Sequence, residues 1–181
     1  MTNAPSPATR LCAACGLCCN GVLFFSVRLQ ATDSARTLSA LGLKPKRKNR
    51  ETHLLQPCPA HVDSCCTIYA DRPARCRAFV CRQLRAVEDG ALAETEALAT
   101  IRETLSLVDR VRNLLRQAGD SREHKAFATR YATIFTEPLD PSEEAREIRD
   151  HLRAAMRELE TRLSTDFRVE PLNVVPAEKR S

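Results

Sequence analysis

Apolar and polar residues divide the chain into two unlike halves. From Leu92 onward the apolar positions recur at helical spacing. Leu98, Ile101, Leu105, Val108, Val111 and Leu115 follow one another at steps of three and four, the period that lines one face of an α-helix. Gly119 closes that helix, and Ser121 is placed to cap another with Phe127, Tyr131 and Ile134 on its apolar face. Pro138 breaks it. Asp140-Pro141-Ser142-Glu143 restarts the chain as a capped helix, with proline at its first position and an acid in its first turn. Its stripe is Ala145, Ile148, Leu152, Ala155, Leu159 and Leu163. Arg146 with Asp150, and Glu158 with Arg162, lie four apart on the wet side.

The first half shows shorter periods. Leu23, Phe25, Val27 and Leu29 alternate with Phe24, Ser26 and Arg28, which predicts a strand with one apolar face. Thr32 or Asp33 is placed to cap a short helix that Gly42 ends. Lys44 to Arg50 reads as a basic loop, and Thr52–Gln56 and Thr67–Tyr69 as short extended runs. Pro73 opens a helix carrying Cys76, Phe79, Val80, Leu84 and Val87, which stops near Asp89-Gly90. The fold class expected is α+β and mostly helical: a cysteine-rich metal-binding half with short strands, and a C-terminal antiparallel helical half of three helices. The bounds follow the composition: 1–10 as a disordered N-terminus, 11–90 as the cysteine-cluster region, 91–166 as the helical region, 167–181 as a loose tail.

Composition narrows this further. With 181 residues, 4% aromatics and no Trp, a core must be built from Leu, Ala, Val and Ile. The net charge of +5 is modest, and no aromatic interrupts Lys44–Arg50 to stack on bases, so nucleic acid is not expected as a partner. No run approaches the ~20 apolar residues of a membrane span. Met1 to Leu11 has no apolar signal-peptide core, so a cytoplasmic location is expected.

Cysteine usage carries the chemistry. Cys12, Cys15, Cys18 and Cys19 fall within eight residues, and Cys58, Cys65, Cys66, Cys76 and Cys81 follow. Nine is an odd number, and all nine crowd one half, which favours metal ligation in a reducing compartment over disulfides. Cys-x-x-Cys brings two thiolates to one ion through a tight turn. Adjacent side chains of an extended chain point to opposite faces. Cys18 and Cys19 therefore serve two metal centres, or one of them is structural, and the same holds for Cys65 and Cys66. Cys76 and Cys81 are ~500° apart on an ideal helix, so they share a site only where that helix ends or loosens. Cys12-x-x-Cys15-x-x-Cys18 with a remote Cys58-Pro59 partly matches iron–sulfur spacing. Soft thiolates suit zinc, iron–sulfur and copper(I) alike. His53 and His61 lie between cysteines as secondary candidate ligands, while His124 and His151 fall on helical stretches with surface or packing roles. Tyr69 reads as core at the rim of the site, and Arg72 and Arg77 as cations beside it. No catalytic residue is assigned.

The ordered set Cys12-x-x-Cys15-Gly16-x-Cys18-Cys19, Phe25-Ser26-Val27, Gln56-Pro57-Cys58, Cys66-Thr67-Ile68-Tyr69, Arg72-Pro73 and Cys76-Arg77-x-Phe79-x-Cys81 resembles the YkgJ-type cysteine-cluster family of zinc- or iron-chelating domains. The likeness covers about residues 12 to 82. It implies Cys12, Cys15, Cys18, Cys19, Cys58, Cys66, Cys76 and Cys81 as metal ligands, with zinc or iron, as ions or as a 4Fe-4S cluster. Cys65 falls outside the pattern, and Ala60-His61 stands where the family often has an apolar residue. The resemblance implies metal binding and no reaction; a protein partner is left unspecified. A related cluster in flagellin lysine methylases supports, by analogy, an alternative as a protein-modifying enzyme. A zinc-structured adaptor is a further alternative.

Overall fold

The structure, a computed structural model, describes residues 6–136 and 142–169. Helix α1 (Pro7–Cys15) begins inside the stretch expected to be disordered. The Ser6 hydroxyl accepts from the Thr9 amide, and Pro7 has no amide to leave unpaired. Cys12 and Cys15 are thus helical, three residues apart on one face, where a tight turn was expected. Gly16 takes φ 63° and ends the helix.

The alternation from Leu23 to Leu29 yields only a short strand, β1 (Ser26–Arg28). Leu23 is buried but Phe25 is exposed, because Leu17 and Leu23 close a loop through a backbone bond and Phe24 stacks edge-on against Phe79. Helix α2 (Ala35–Ala40) is capped by Ser34, not by Thr32 or Asp33. The basic loop is a strand, β2 (Pro45–Lys48), paired antiparallel with β3 (Glu51–Leu55) in a sheet ordered β1-β3-β2. Asn49 and Arg50 both adopt left-handed φ, the backbone of a two-residue hairpin turn. The usual signal for that turn carries glycine, which is why the sequence concealed it. Asp63 and Ser64 repeat the device between β4 (His61–Val62) and β5 (Cys65–Cys66). The extended run expected at Thr67–Tyr69 is turn, and the strand sits one step earlier on the paired cysteines.

The helix expected from Pro73 is two helices, α3 (Ala74–Ala78) and α4 (Arg82–Glu88), separated by extended residues at 79–81. Beyond Gly90 come α5 (Glu94–Gln117), α6 (Phe127–Thr136) and α7 (Glu143–Asp166). Helices α5 and α7 pack along their lengths. The ion pairs Arg110–Glu158 and Glu103–Arg162 run in opposite sense, so the two helices are antiparallel. Ser142 caps α7; Pro138, Asp140 and Pro141 lie outside the described residues. Ser121 does not cap α6, and residues 120–125 are loop and turn around Asp120. Among the described residues 53% are helix and 10% strand, and the α+β, mostly helical expectation holds.

One apolar cluster spans both halves. Leu11, Leu17, Val22, Leu23 and Leu84 pack with Ile101, Val108, Val111, Leu152, Leu159, Leu163 and Phe167. A smaller cluster of Leu38, Leu43, Leu54, Ala60 and Ile68 sits under the sheet. The large cluster also holds a buried ion pair that the apolar pattern does not disclose. Asp120 accepts from Arg130 Nε at 2.6 Å and from Arg122 Nε at 2.8 Å, with the Asp120 and Arg130 side chains 0% and 3% exposed. Burial alone would raise the Asp120 pKa, but the two guanidinium bonds outweigh it and hold the carboxylate below its ordinary range.

Candidate metal centre

Five separate stretches of chain deliver the eight cysteines that the sequence resemblance marked. The loop after α1 is tightly specified: the Cys19 and Asn20 amides both donate to the Gly16 carbonyl at 2.9 Å. Gly21 allows a close backbone approach, since a Cβ there would lie 3.0 Å from Ala126 Cα and 3.3 Å from Pro57 N. Next to that contact, the Cys58 amide donates to the Cys19 carbonyl at 2.7 Å. This bond joins the first cysteine stretch to one arriving almost forty residues later. Pairing of β4 with β5 sets Cys66 opposite His61. Cys76 lies on α3, whose first amide, that of Ala74, donates to Asp33 Oδ1 at 2.8 Å. Asp33 Oδ2 accepts from the Gln30 amide at 2.7 Å. The sequence placed Asp33 as a possible local cap of α2; it anchors a helix 41 residues away instead. Cys81 caps α4, its Sγ accepting from the Leu84 amide at 3.5 Å. The break at 79–81 places Cys76 and Cys81 on different helices, the first within α3 and the second at the cap of α4.

All nine cysteines are free thiols. Loss of water pushes the thiol pKa of Cys15 up to about 12, of Cys19 up to about 12 and of Cys76 up to about 11. Cys18 is raised well above the ordinary thiol range, and Cys12, Cys58 and Cys81 are raised too, in each case first by burial. Neighbouring thiols reinforce the effect on Cys12, Cys15, Cys18, Cys19, Cys58 and Cys76. Arg72 opposes it at Cys12 and at Cys76. Its guanidinium lies 3.5 Å from the ring centre of Tyr69, which is exposed, not the core residue expected.

His61 is the histidine that joins the site. A Cβ on Gly16 would fall 2.8 Å from both Cε1 and Nε2 of its ring. Its Nε2 is buried without a hydrogen-bond partner, and burial lowers its pKa, favouring the neutral ring that ligates metals. His53 is engaged elsewhere, 3.3 Å from Glu51 and 3.5 Å from Ser26. His124 lies in a turn, not on a helix, and His151 is an exposed residue of α7. Cys65 is exposed, opposite Val62.

The donor chemistry fits a soft or borderline cation: eight sulfurs and one orphaned imidazole nitrogen. Among the described residues, no three His, Cys, Asp or Glu side chains already stand in an arrangement that could hold a metal ion.

Comparison with known protein families matches residues 11–99 to the CxxCxxCC family, described as a "Putative zinc- or iron-chelating domain". The match extends beyond the last cysteine into α5 and falls just short of half the chain. Among curated proteins and solved structures, nothing matches the chain. Helices α6 and α7 lie outside the matched residues. No helix among the described residues is long and apolar enough to cross a membrane.

Proposed function

We propose that the CxxCxxCC region binds zinc or iron through the thiolates of Cys12, Cys15, Cys18, Cys19, Cys58, Cys66, Cys76 and Cys81, as a metal-binding module with no catalytic residue of its own. One observation carries this reading: the Cys58 amide bond to the Cys19 carbonyl and the pairing of Cys66 with His61 bring half-buried cysteines from separate stretches together, where each would repel the next once ionised. Gathering potential anions in low dielectric is unfavourable unless a cation balances them. A bound metal supplies that positive charge and holds the thiols as thiolates. Arg72 contributes a smaller positive field, and the buried His61 nitrogen offers a ninth donor. Nine free thiols suit a reducing compartment such as the cytoplasm.

Elemental analysis of anaerobically purified full chain tests the proposal. Zinc or iron is expected in fixed proportion to the chain. A brown sample absorbing near ~400 nm indicates iron–sulfur, and a colourless zinc-containing one indicates zinc. A metal-free sample whose nine thiols all titrate, and whose melting temperature does not respond to added zinc or iron, overturns the reading.

A further inference from the structure

Two apolar clusters underlie the cysteines, and the thiols sort between them. Cys15, Cys18 and Cys81 pack against the large cluster. Cys58 and Cys66 pack against the small one. The backbone repeats the division. Cys12 and Cys15 share a face of α1, which packs on α4, whose cap is Cys81. On the other side, Cys58 is tied to Cys19 by the 2.7 Å amide bond. His61, bonded through its amide to the Cys58 carbonyl, is paired with Cys66. Helix α3, carrying Cys76, packs on β1 and is pinned by Asp33.

We propose that the eight thiols form two separate four-thiolate metal centres, Cys12–Cys15–Cys18–Cys81 and Cys19–Cys58–Cys66–Cys76, divided between Cys18 and Cys19. This rests on the metal-binding reading above. Four thiolates complete one tetrahedral shell, so eight in two sets complete two.

Electrostatic neighbours agree with the division. The other sulfurs acting on Cys12 and Cys15 include Cys81, and on Cys18 they are Cys15, Cys19, Cys81 and Cys12. Those acting most on Cys19 are Cys58, Cys76 and Cys66, and those acting on Cys76 are Cys58 and Cys66. The sets touch only where Cys19 senses Cys12 and is sensed by Cys15 and Cys18. The doubled cysteine is thus the seam: Cys18 packs against the large cluster, while Cys19 is tied through its carbonyl to the Cys58 amide. Cys65 belongs to neither set.

The test is anaerobic titration of the reduced, metal-stripped full chain with cobalt(II), whose thiolate absorption reports sulfur ligation. Saturation is expected at two cobalt ions per chain. Cys15→Ser or Cys81→Ser reduces this to one, as does Cys58→Ser or Cys76→Ser. Combining one change from each set abolishes ligation, and Cys65→Ser leaves two. A second measurement needs no variant: chains carrying one cobalt are alkylated and the protected cysteines mapped by mass. Protection of four thiols from a single set supports the division. Saturation at one cobalt, or protected thiols drawn from both sets in singly loaded chains, overturns it. Absence of any thiolate–cobalt absorption overturns metal binding itself, a different result from a single centre.

Discussion

In the helical half, Leu152, Leu159 and Leu163 are 0% exposed against Val111 and Leu115, also at 0%. In the cysteine-rich half, the cluster under the sheet is five residues, Leu38, Leu43, Leu54, Ala60 and Ile68, none larger than Leu or Ile. The strands above it run two to five residues. The first region buries enough side chain to fold on dispersion and the hydrophobic effect. The part of the second under the sheet has a much smaller core, and its backbone is held by single bonds at chosen points, such as Cys58 to Cys19 and Ala74 to Asp33. Small domains with little core draw stability from cross-links or metals.

Asp120→Ala breaks the comparison from the helical side. It leaves Arg130 buried without its carboxylate and is expected to cost about 3–5 kcal/mol, read by urea denaturation, with metal content per folded chain unchanged. A loss below about 1 kcal/mol counts against Asp120 as the helical half's buried anchor. Leu159→Ala empties a fully buried position of the large cluster and is expected to cost about 2–5 kcal/mol. Leu54→Ala in the small cluster falls at or below the lower end, and its loss shrinks further with metal loaded. Equal costs in both clusters, unaffected by metal, remove the contrast.

pH separates the halves through the raised thiols. In the metal-free chain the folded state keeps Cys15, Cys19 and Cys76 protonated above the range where unfolded thiols ionise. Their contribution to stability is therefore complete below the unfolded value near ~8.5. It is lost as pH rises through about 11 for Cys76 and about 12 for Cys15 and Cys19. Denaturation of the metal-free chain is expected to become easier from pH ~9 upward, and the metal-loaded chain, whose thiols are already ionised, does not show this loss. A pH-independent midpoint in the metal-free chain contradicts the burial of these thiols.

The smallest expected effect is Asp33→Ala. Losing the carboxylate that receives the Ala74 amide is expected to cost about 0.5–2 kcal/mol. The readout is faster hydrogen exchange in α3, with α5 and α7 unchanged. Uniform acceleration across all helices would show that α3 is not separately anchored.

Helical periodicity marked α5, α6 and α7 because a 3.6-residue repeat depends only on neighbours within one or two turns. The eight cysteines were legible for a related reason: their type and order are local. Their grouping was not. Cys81 joining α1 depends on the break at 79–81, and Cys58 meeting Cys19 depends on the close approach at Gly21. The hairpin turns at Asn49-Arg50 and Asp63-Ser64 escaped notice because neither carries glycine, and the Asp120–Arg130 pair because polar residues give no apolar signal. By itself, then, the sequence determined which sulfurs the chain carries, in what order, and which segments would coil. Tertiary structure alone decided that the His61 ring lies against Gly16 and that Asp33 holds α3. It also decided that Cys18 packs against the large apolar cluster while its neighbour Cys19 is joined by a backbone bond to Cys58. Contacts between residues forty to sixty positions apart are set by packing and chain closure, which no short-range pattern encodes.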